Sequence, residues 1–271
     1  MRYVTALTIA GSDSCAGAGI QADIKTMAAL GVYATTVITA VTAQNTLGVT
    51  AVEAVSPSMV AAQIDAVMCD VRPAAVKIGM VNDAATVHAI ASTLGKYTIE
   101  HLVVDPIMLS TSGSHLMAAD ALQAFTNELI PMATILTPNI PEAEVLATAG
   151  ADSGRALSNT DAMGEVLSRR WAAYILIKGG HGDKCDRLYK DGSLVREYRT
   201  AVVDTVNTHG TGCTLSSAIA SFLAKGYTVE EAVGKAKDYV TLALIAGKDR
   251  TLGAGHGPLN HFLWRDEPGD A

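Results

Sequence analysis

Short apolar runs alternate with stretches of helical periodicity along almost the whole chain. Apolar runs bounded by turn residues are typical of buried strands, and apolar positions three or four residues apart are typical of helices packed on a sheet. The pattern predicts strands at Val4–Ala10, Tyr33–Thr42, Thr50–Val55, Ala74–Ile78, His101–Asp105, Thr134–Leu136, Tyr174–Lys178, Arg187–Tyr189 and Leu194–Tyr198. It predicts helices at Ile20–Leu30, Ser58–Val71, Asp83 to about Tyr97, Ala118–Ile130, from Pro141 onward, Asp161–Trp171, Leu215–Leu223 and Val229 to about Gly247.

This alternation predicts an α/β fold with a mostly parallel central sheet and helices on both faces. The dipeptide Asp191-Gly192 between the last two strands indicates one small hairpin. Of the 271 residues, 49% are hydrophobic and only 5% are aromatic, so aliphatic side chains do the packing, which suits buried parallel strands. Because no linker-like stretch divides the chain, residues 1–271 are expected to form a single domain.

Charge and cysteine content exclude several classes of function. The net charge is −7 and no basic cluster occurs, which argues against a nucleic-acid partner. We find no apolar run of about 18 residues and no signal-like apolar region before the first strand, so no membrane partner is expected. The cysteines Cys15, Cys69, Cys185 and Cys213 form no C-x-x-C pair, which disfavours a zinc site or a disulfide framework and fits a cytoplasmic protein.

Polar motifs stand at the carboxyl ends of the predicted strands, where parallel sheets bind their ligands. These motifs are Gly11–Gly19, Gln44-Asn45, Gly79-Met80, Asp105, Asn139 with Glu142, and Lys178-Gly-Gly. They are expected to converge on one rim of the sheet, and this convergence is a stronger signal than any single motif.

The segment from Asn207 to Ala220 predicts a tight glycine turn that leads into a helix. Gly210 and Gly212 carry no side chains, so the unpaired N–H groups of the helix start can approach an anion such as phosphate. Cys213 lies in the first turn, where a thiol is expected to lose its proton more easily than usual. The alternative is an ordinary turn followed by a core cysteine.

Asp105, Asn139 and Glu142 supply hard oxygen atoms of the kind that hold Mg²⁺ beside a nucleotide. The alternatives are a strand-end cap for Asp105 and a favourable charge in a first helical turn for Glu142. Lys178 ends an apolar strand and could reach a phosphate, or could simply face solvent.

Two familiar nucleotide-binding motifs do not fit the chain. The pattern Gly17-x-Gly19-x-x-Ala22 imitates a dinucleotide fingerprint, but its glycines come too long after the strand. No acidic residue ends the next strand, as that fingerprint requires. A P-loop sequence does not occur.

Nine motifs together resemble the hydroxymethylpyrimidine/phosphomethylpyrimidine kinases, the thiamin-pathway branch of the ribokinase-like superfamily. They are Gly11–Asp13, Gly17–Thr26, Val41–Asn45, Lys77–Met80, Val104–Pro106, Thr137–Asn139, Pro141–Ala143, Lys178–His181 and Asn207–Thr214. Most of the superfamily carries Asp at the position of Cys213, and Gly-Thr-Gly-Cys is characteristic of this branch. The chain departs from the family at Cys15-Ala16, where Ser-Gly or Gly-Gly is common, and Ala16 is expected to stiffen this loop.

The resemblance implies a ribokinase-like fold, ATP and Mg²⁺ as cofactors, and two successive phosphoryl transfers. The first acts on 4-amino-5-hydroxymethyl-2-methylpyrimidine and the second on its monophosphate. By motif match, Asp23 and Gln44 would hold the pyrimidine, Gly11 and Met80 would wall the pocket, Gly210, Thr211 and Gly212 would stabilise the phosphoryl oxygens, and Cys213 would be the base. Asp105 and Glu142 would hold Mg²⁺ and its waters together with Asn139, and Lys178, Asn139 and Thr208 would bind ATP.

Other functions stay open at this point. A pyridoxal kinase of the same fold and a non-catalytic pyrimidine or nucleotide sensor are the main alternatives. A Cys213–His209 hydrolase pair is disfavoured because adjacent turn residues seldom align as nucleophile and base. The resemblance suggests a homodimer. Segment Ser110–His115 and the Asp191-Gly192 hairpin are both candidates for a lid, and Cys15 is either reactive or simply a packed small residue.

Overall fold

A single sheet runs through the molecule. The structure, a computed structural model, describes residues 2–108, 117, 119–149, 159–179 and 185–263. Within these residues the sheet has nine strands, β1 to β9 in chain order. They are Thr5–Asp13, Tyr33–Asn45, Gly48–Ala54, Ala75–Ile78, His101–Val104, Ile135–Leu136, Tyr174–Ile177, Cys185–Lys190 and Ser193–Arg199.

The strand order is β3-β2-β1-β4-β5-β6-β7-β8-β9. The pairs from β2 through β1, β4, β5 and β6 to β7 are all parallel. Antiparallel pairing is confined to the two edges, at β2–β3 and at β7–β8–β9. The predicted mostly parallel sheet and the hairpin at its end are therefore confirmed.

The expectation of one hairpin was wrong, because β2 and β3 form a second. Its turn contains Thr46 and Leu47, which lack the Asn-Gly or Asp-Gly signal that makes a hairpin visible in a sequence. The register shifts between Ala43 and Gln44, which marks a bulge where β2 reaches the rim. The second hairpin thus belongs to the end of the sheet that carries the polar motifs.

Helices cover both faces of the sheet, as predicted. In chain order, α1 to α8 are Gly19–Ala29, Pro57–Asp70, Ala84–Leu94, Ala119–Ala124, Ile140–Thr148, Thr160–Arg170, Thr211–Ala224 and Val229–Gly247. One core cluster holds side chains of α2, α3, α5 and α6, and another holds those of α7 and α8. Helix α1 packs against α7 on the second face.

The predicted helix at Ala118–Ile130 is more irregular than expected. After α4 the chain continues as a π turn at Phe125–Leu129 and a 3₁₀ turn at Ile130–Met132. Pro131 cannot donate a helical hydrogen bond, so the regular helix cannot continue there. No helix in the described part of the chain is long and apolar enough to cross a membrane.

The Asp191-Gly192 turn lies at the wrong end of the sheet for a lid. Strand β8 runs antiparallel to β7, with Ile177 opposite Arg187 and Ile175 opposite Tyr189. The turn that follows β8 is therefore at the amino end of the parallel strands, away from the rim of polar motifs. The other lid candidate, Ser110–His115, lies outside the described residues.

Candidate active site

The carboxyl ends of the parallel strands open into one cleft of about 610 Å³. All but one of the predicted site residues line it. They are Gly11, Gln44, Met80, Asp105, Asn139, Glu142, Lys178, Thr208, Gly210, Thr211, Gly212 and Cys213. The structure therefore brings together motifs that lie up to about 200 positions apart in the chain, as expected for the rim of a parallel sheet.

Helix α7 begins in the floor of the cleft. Gly210, its N-cap, has φ of 81°, and a side chain there would overlap the carbonyl oxygen of Gly17. The amides of Gly212 and Cys213 lie in the first turn, where N–H groups have no intrahelical acceptor. A Cβ on Gly212 would lie 3.6 Å from both Asp105 Oδ2 and Lys178 Nζ. The helix start thus faces a cluster of charged side chains.

Asp105 is a carboxylate of the cleft that bonds to side chains from three other segments of the chain. Its Oδ1 lies 3.0 Å from Lys178 Nζ and accepts a hydrogen bond from Thr137 Oγ1 at 3.1 Å. Its Oδ2 accepts from Ser216 Oγ of α7 at 3.1 Å. Burial acts to raise the pKa of Asp105, but the charges of Lys178 and Lys77 outweigh it and hold that pKa below its usual value.

Glu142 serves as a helix cap and as a wall of the cleft. Its carboxylate accepts the Asn139 N–H at 2.8 Å, and Asn139 Oδ1 accepts the Glu142 N–H at 2.8 Å, which forms a capping box for α5. Glu142 Oε2 lies 3.9 Å from Lys178 Nζ. Burial raises the pKa of Glu142, the charge of Lys178 opposes this, and the charge of Asp105 raises the pKa further. Glu142 therefore caps α5, as the structural interpretation predicts, and its side chain also borders the cleft.

Cys213 sits in the first turn of α7 as predicted, but its acidity differs from the expectation. Its side chain is 7% exposed, and burial raises the pKa of the thiol to about 11. The charge of Lys77 lowers this pKa and those of Asp23 and Asp105 raise it. The expectation of an acidified thiol was wrong because desolvation outweighs the field of the helix start.

Asp23 is the predicted site residue that does not reach the cleft. It is fully buried beneath the cleft floor, with Lys77 Nζ at 2.8 and 3.0 Å from its two oxygens. Thr8 Oγ1 donates to it at 2.5 Å, and Ser217 of α7 also donates to it. Direct contact between Asp23 and a substrate is therefore corrected to a role in the buried support of α7.

Lys77 lies in one of the sequence motifs, Lys77–Met80, which predicts no role for it. It is fully buried in β4, and the surrounding charge of Asp23 raises its pKa even though burial acts in the opposite direction. The available signal was a lysine in the middle of an otherwise apolar strand, which requires a buried partner.

Asp13 and His209 form a second buried pair that sequence reasoning missed. His209 Nε2 lies 2.9 Å from Asp13 Oδ2, and His209 is also 3.3 Å from Gln44 Nε2. Asp13 accepts N–H bonds from Cys15, Gly17 and Ala18 at 2.8, 3.0 and 2.9 Å. Burial acts to raise the pKa of Asp13, but these bonds and His209 lower it overall. Because His209 is bonded to Asp13, the geometry does not support a Cys–His hydrolase pair.

The loop that holds Asp13 contains the chain's departure from the family pattern. Ala16 has φ of 62°, in the left-handed region that glycine occupies without strain. Cys15 is partly exposed, and burial followed by the charge of Asp13 raises its pKa. A raised pKa disfavours a reactive thiolate, so Cys15 is better described as a packed small residue.

Comparison with known proteins identifies the family. A model of the family described as phosphomethylpyrimidine kinase matches residues 13–260. The chain belongs to the phosphomethylpyrimidine kinase family. It is 48% identical over 269 residues to the hydroxymethylpyrimidine/phosphomethylpyrimidine kinase of Rhizobium meliloti, covering 96% of this chain and 98% of the relative.

Solved structures agree with this family assignment, and they also include a pyridoxal kinase of the same fold. A crystal structure of phosphomethylpyrimidine kinase from Clostridium difficile matches with a TM-score of 0.77 at 44% identity, over 89% of this chain and 99% of that one. The ADP complex of Bacillus subtilis pyridoxal kinase matches with a TM-score of 0.84 at 31% identity, over 96% and 98%. The ribokinase-like fold is thus confirmed, and it is shared with kinases that act on another vitamin.

Replacement of Lys77 tests the buried pair. Lys77→Met leaves the Asp23 carboxylate without its cation, and should lower the free energy of unfolding by about 3–5 kcal/mol. Adding Asp23→Asn removes the stranded charge, so the double variant should be more stable than Lys77→Met alone. Denaturant titrations followed by circular dichroism measure both. A loss below about 1 kcal/mol, or additive losses in the double variant, would contradict the assignment.

Proposed function

We propose that this chain transfers the terminal phosphoryl group of ATP to 4-amino-5-hydroxymethyl-2-methylpyrimidine, and then to the resulting monophosphate, in the formation of thiamin diphosphate. The observation that carries the proposal is the meeting of the α7 start with Asp105 and Lys178 in the same cleft as Gln44 and Met80. Family membership supports the same reaction. We also infer a homodimer, which rests on the family resemblance alone.

The pyrimidine would lie at the end of the cleft formed by β1, β2 and β4. Here the methyl group of Met80 packs where a side chain on Gly11 would stand, so the two residues form one wall. The amide of Gln44 can donate and accept hydrogen bonds, which suits an aminopyrimidine edge. Asp23 supports this end from below rather than by contact.

The phosphoryl group would lie at the start of α7. The amides of Gly210 and Gly212 and the partial positive charge of the helix start favour its oxygens. Thr211 also lies there, although its N–H donates to the Thr208 carbonyl oxygen at 3.2 Å. Lys178 supplies a full charge, and Thr208 and Asn139, which also line the cleft, would contact ATP. Phosphoryl transfer has a loose transition state, so positioning and charge neutralisation supply most of the rate.

The carboxylates fit a Mg²⁺ ion that accompanies ATP. No group of three or more potential His, Cys, Asp or Glu ligands occurs among the described residues. Asp105 and Glu142 nevertheless both border the cleft beside Lys178, and Mg²⁺ at nucleotide sites commonly uses one or two carboxylates, with waters and phosphates completing its shell. These two residues would hold the ion, which would neutralise phosphate charge when bound.

Cys213 would take the proton from the substrate hydroxyl. Because burial raises the pKa of the thiol to about 11, only a small fraction of the protein carries the thiolate near neutral pH. A thiolate of high pKa is a strong base although it is rare, and Lys77 below it favours the ionised form. The buried cation thus links the support of α7 to the chemistry of the cleft.

A pyridoxal kinase is the second candidate function. The Bacillus subtilis pyridoxal kinase superposes with a TM-score of 0.84, against 0.77 for the phosphomethylpyrimidine kinase structure, so the fold alone does not separate the two. Sequence identity favours the pyrimidine substrate, because the chain is 44% identical to the phosphomethylpyrimidine kinase and 31% identical to the pyridoxal kinase.

Product analysis decides between these functions. The protein is incubated with ATP and Mg²⁺ and either hydroxymethylpyrimidine or pyridoxal, and the products are resolved by mass. We expect pyrimidine monophosphate first and diphosphate later. Pyridoxal phosphate alone would establish the alternative, and the absence of any ATP-dependent product would favour a non-catalytic sensor.

The pH dependence of the reaction tests Cys213 as the base. Since the thiolate is the active form, kcat/KM should rise about tenfold per pH unit between pH 7 and pH 9.5. Cys213→Asp should flatten this rise, because a carboxylate is already ionised in this range, and Cys213→Ser should lose about 100-fold or more in kcat. Near-normal turnover of Cys213→Ser, or a flat profile in the unchanged protein, would rule out this role.

A further inference from the structure

The Gln44 side chain is held on two sides at the edge of the cleft. The register of β2 and β3 shifts between Ala43 and Gln44, and Ser14 Oγ lies 2.8 Å from both the N and the O of the Gln44 backbone. Its amide lies between His209 Nε2, 3.3 Å from Gln44 Nε2, and Thr42 Oγ1, 3.1 Å from Gln44 Oε1. The position of the amide is therefore fixed, and the remaining question is which of its two ends faces which neighbour.

The protonation of His209 decides which atom of the Gln44 amide faces it. Asp13 accepts the N–H groups of Cys15, Gly17 and Ala18, which is the bonding pattern of an ionised carboxylate, and an ionised carboxylate can only accept hydrogen bonds. The Nε2 of His209, 2.9 Å from Asp13, must therefore carry a proton and donate it. A protonated ring nitrogen has no lone pair left in the ring plane, so it cannot accept from an amide N–H. The Gln44 atom that faces His209 must then be an acceptor, which is the oxygen.

Thr42 accommodates the same orientation on the other side. Its one hydroxyl proton can serve either the Ser12 carbonyl oxygen or Gln44 Oε1, each 3.1 Å away, and once the Gln44 oxygen faces His209 the proton is left for Ser12. Thr42 Oγ1 is then left as an acceptor for Gln44. The Gln44 atom that faces Thr42 must be a donor, which is the amide nitrogen. A half-turn of the amide about its last bond exchanges the two atoms almost in place and satisfies both neighbours.

We propose that Asp13, His209 and Thr42 clamp the Gln44 amide in one orientation, with the oxygen toward His209 and the nitrogen toward Thr42, and that this clamp sets the polarity of the ligand edge that the site accepts. The second N–H of the amide then faces the cleft on the Thr42 side, and a free lone pair faces it on the His209 side. His209 and Thr42 are positioning residues, since they act through Gln44.

The clamp has a chemical consequence that rests on the function proposed above. A 4-aminopyrimidine presents an acceptor, the ring nitrogen, next to a donor, the exocyclic amine. A 4-oxopyrimidine presents the reverse, a ring N–H next to a carbonyl oxygen. An amide free to turn over would pair with either edge. When the hydroxymethyl group is held at the α7 start the ring cannot turn over, so a clamped amide pairs with one edge and opposes the other. The clamp therefore discriminates the amino compound from its oxo analogue.

The experiment measures kcat/KM for 4-amino-5-hydroxymethyl-2-methylpyrimidine and for its 4-oxo analogue, each with ATP and Mg²⁺. We expect the unchanged protein to prefer the amino compound by about 100-fold or more, since opposed hydrogen-bonding groups are costly in a buried site. Thr42→Val keeps the side-chain shape but removes the acceptor for the amide nitrogen, and should lower the preference about tenfold.

Two further variants complete the design. His209→Gln keeps a donor for Asp13 but brings an oxygen to the same place, so combined with Thr42→Val it should bring the preference to within about tenfold. Thr35→Val is the matched control. It lies in the same strand and its hydroxyl also donates to a carbonyl oxygen, that of Ala6 at 3.1 Å, remote from the cleft, so its preference should be unchanged.

The ratio of kcat/KM for the two substrates separates a loss of positioning from a general structural defect, because a structural defect lowers both values together. A preference that stays within twofold of the original in Thr42→Val overturns the clamp, even if the double variant does not fold. If the unchanged protein phosphorylates neither compound, the proposed function fails instead. If it phosphorylates the amino compound but shows no preference, the function stands and the clamp is wrong.

Discussion

The site depends on a close approach between two backbone segments, the loop after β1 and the turn before α7. No side chain fits between Gly17 and Gly210, and the ring of His209 occupies the space where a side chain on Gly17 would stand. Asp13 holds the loop by three N–H bonds and holds the turn through His209. This contact joins the pyrimidine end of the cleft to the phosphoryl end, so the distance between the two reacting groups is set by the backbone.

Paired charges lie in the wall of the cleft and beneath its floor. Asp23 and Lys77 join α1, β4 and α7 with no exposure to water, and Asp105 joins β5 to Lys178 and to Ser216 of α7. Burial of an unpaired charge is costly, so each carboxylate keeps its neighbour in place. The same burial that holds α7 also raises the pKa of Cys213. The buried charges therefore support α7, and the same burial makes Cys213 a strong base that is rarely ionised.

The sequence predicts where the site lies better than how it works. The alternation of strands and helices places Gln44, Asp105 and Lys178 at strand ends, and parallel strands bring such ends together whatever their separation along the chain. How deeply a side chain is buried depends on packing that a sequence pattern does not contain. For this reason the sequence predicts a cleft position for Asp23 and a lowered pKa for Cys213, and the structure corrects both. The β2–β3 hairpin is not predicted because its turn carries no turn signal, and the bulge beside Gln44 is therefore not predicted either.

The most direct test of the backbone approach is the kcat/KM of Gly210→Ala beside that of Gly226→Ala. Both glycines have positive φ, 81° and 84°, so alanine strains the backbone equally in the two variants. Only at Gly210 would the new methyl group meet the Gly17 carbonyl, since nothing lies within 4 Å of one at Gly226. The account predicts a loss of about 100-fold or more for Gly210→Ala and about twofold or less for Gly226→Ala. Equal losses in the two variants would contradict it.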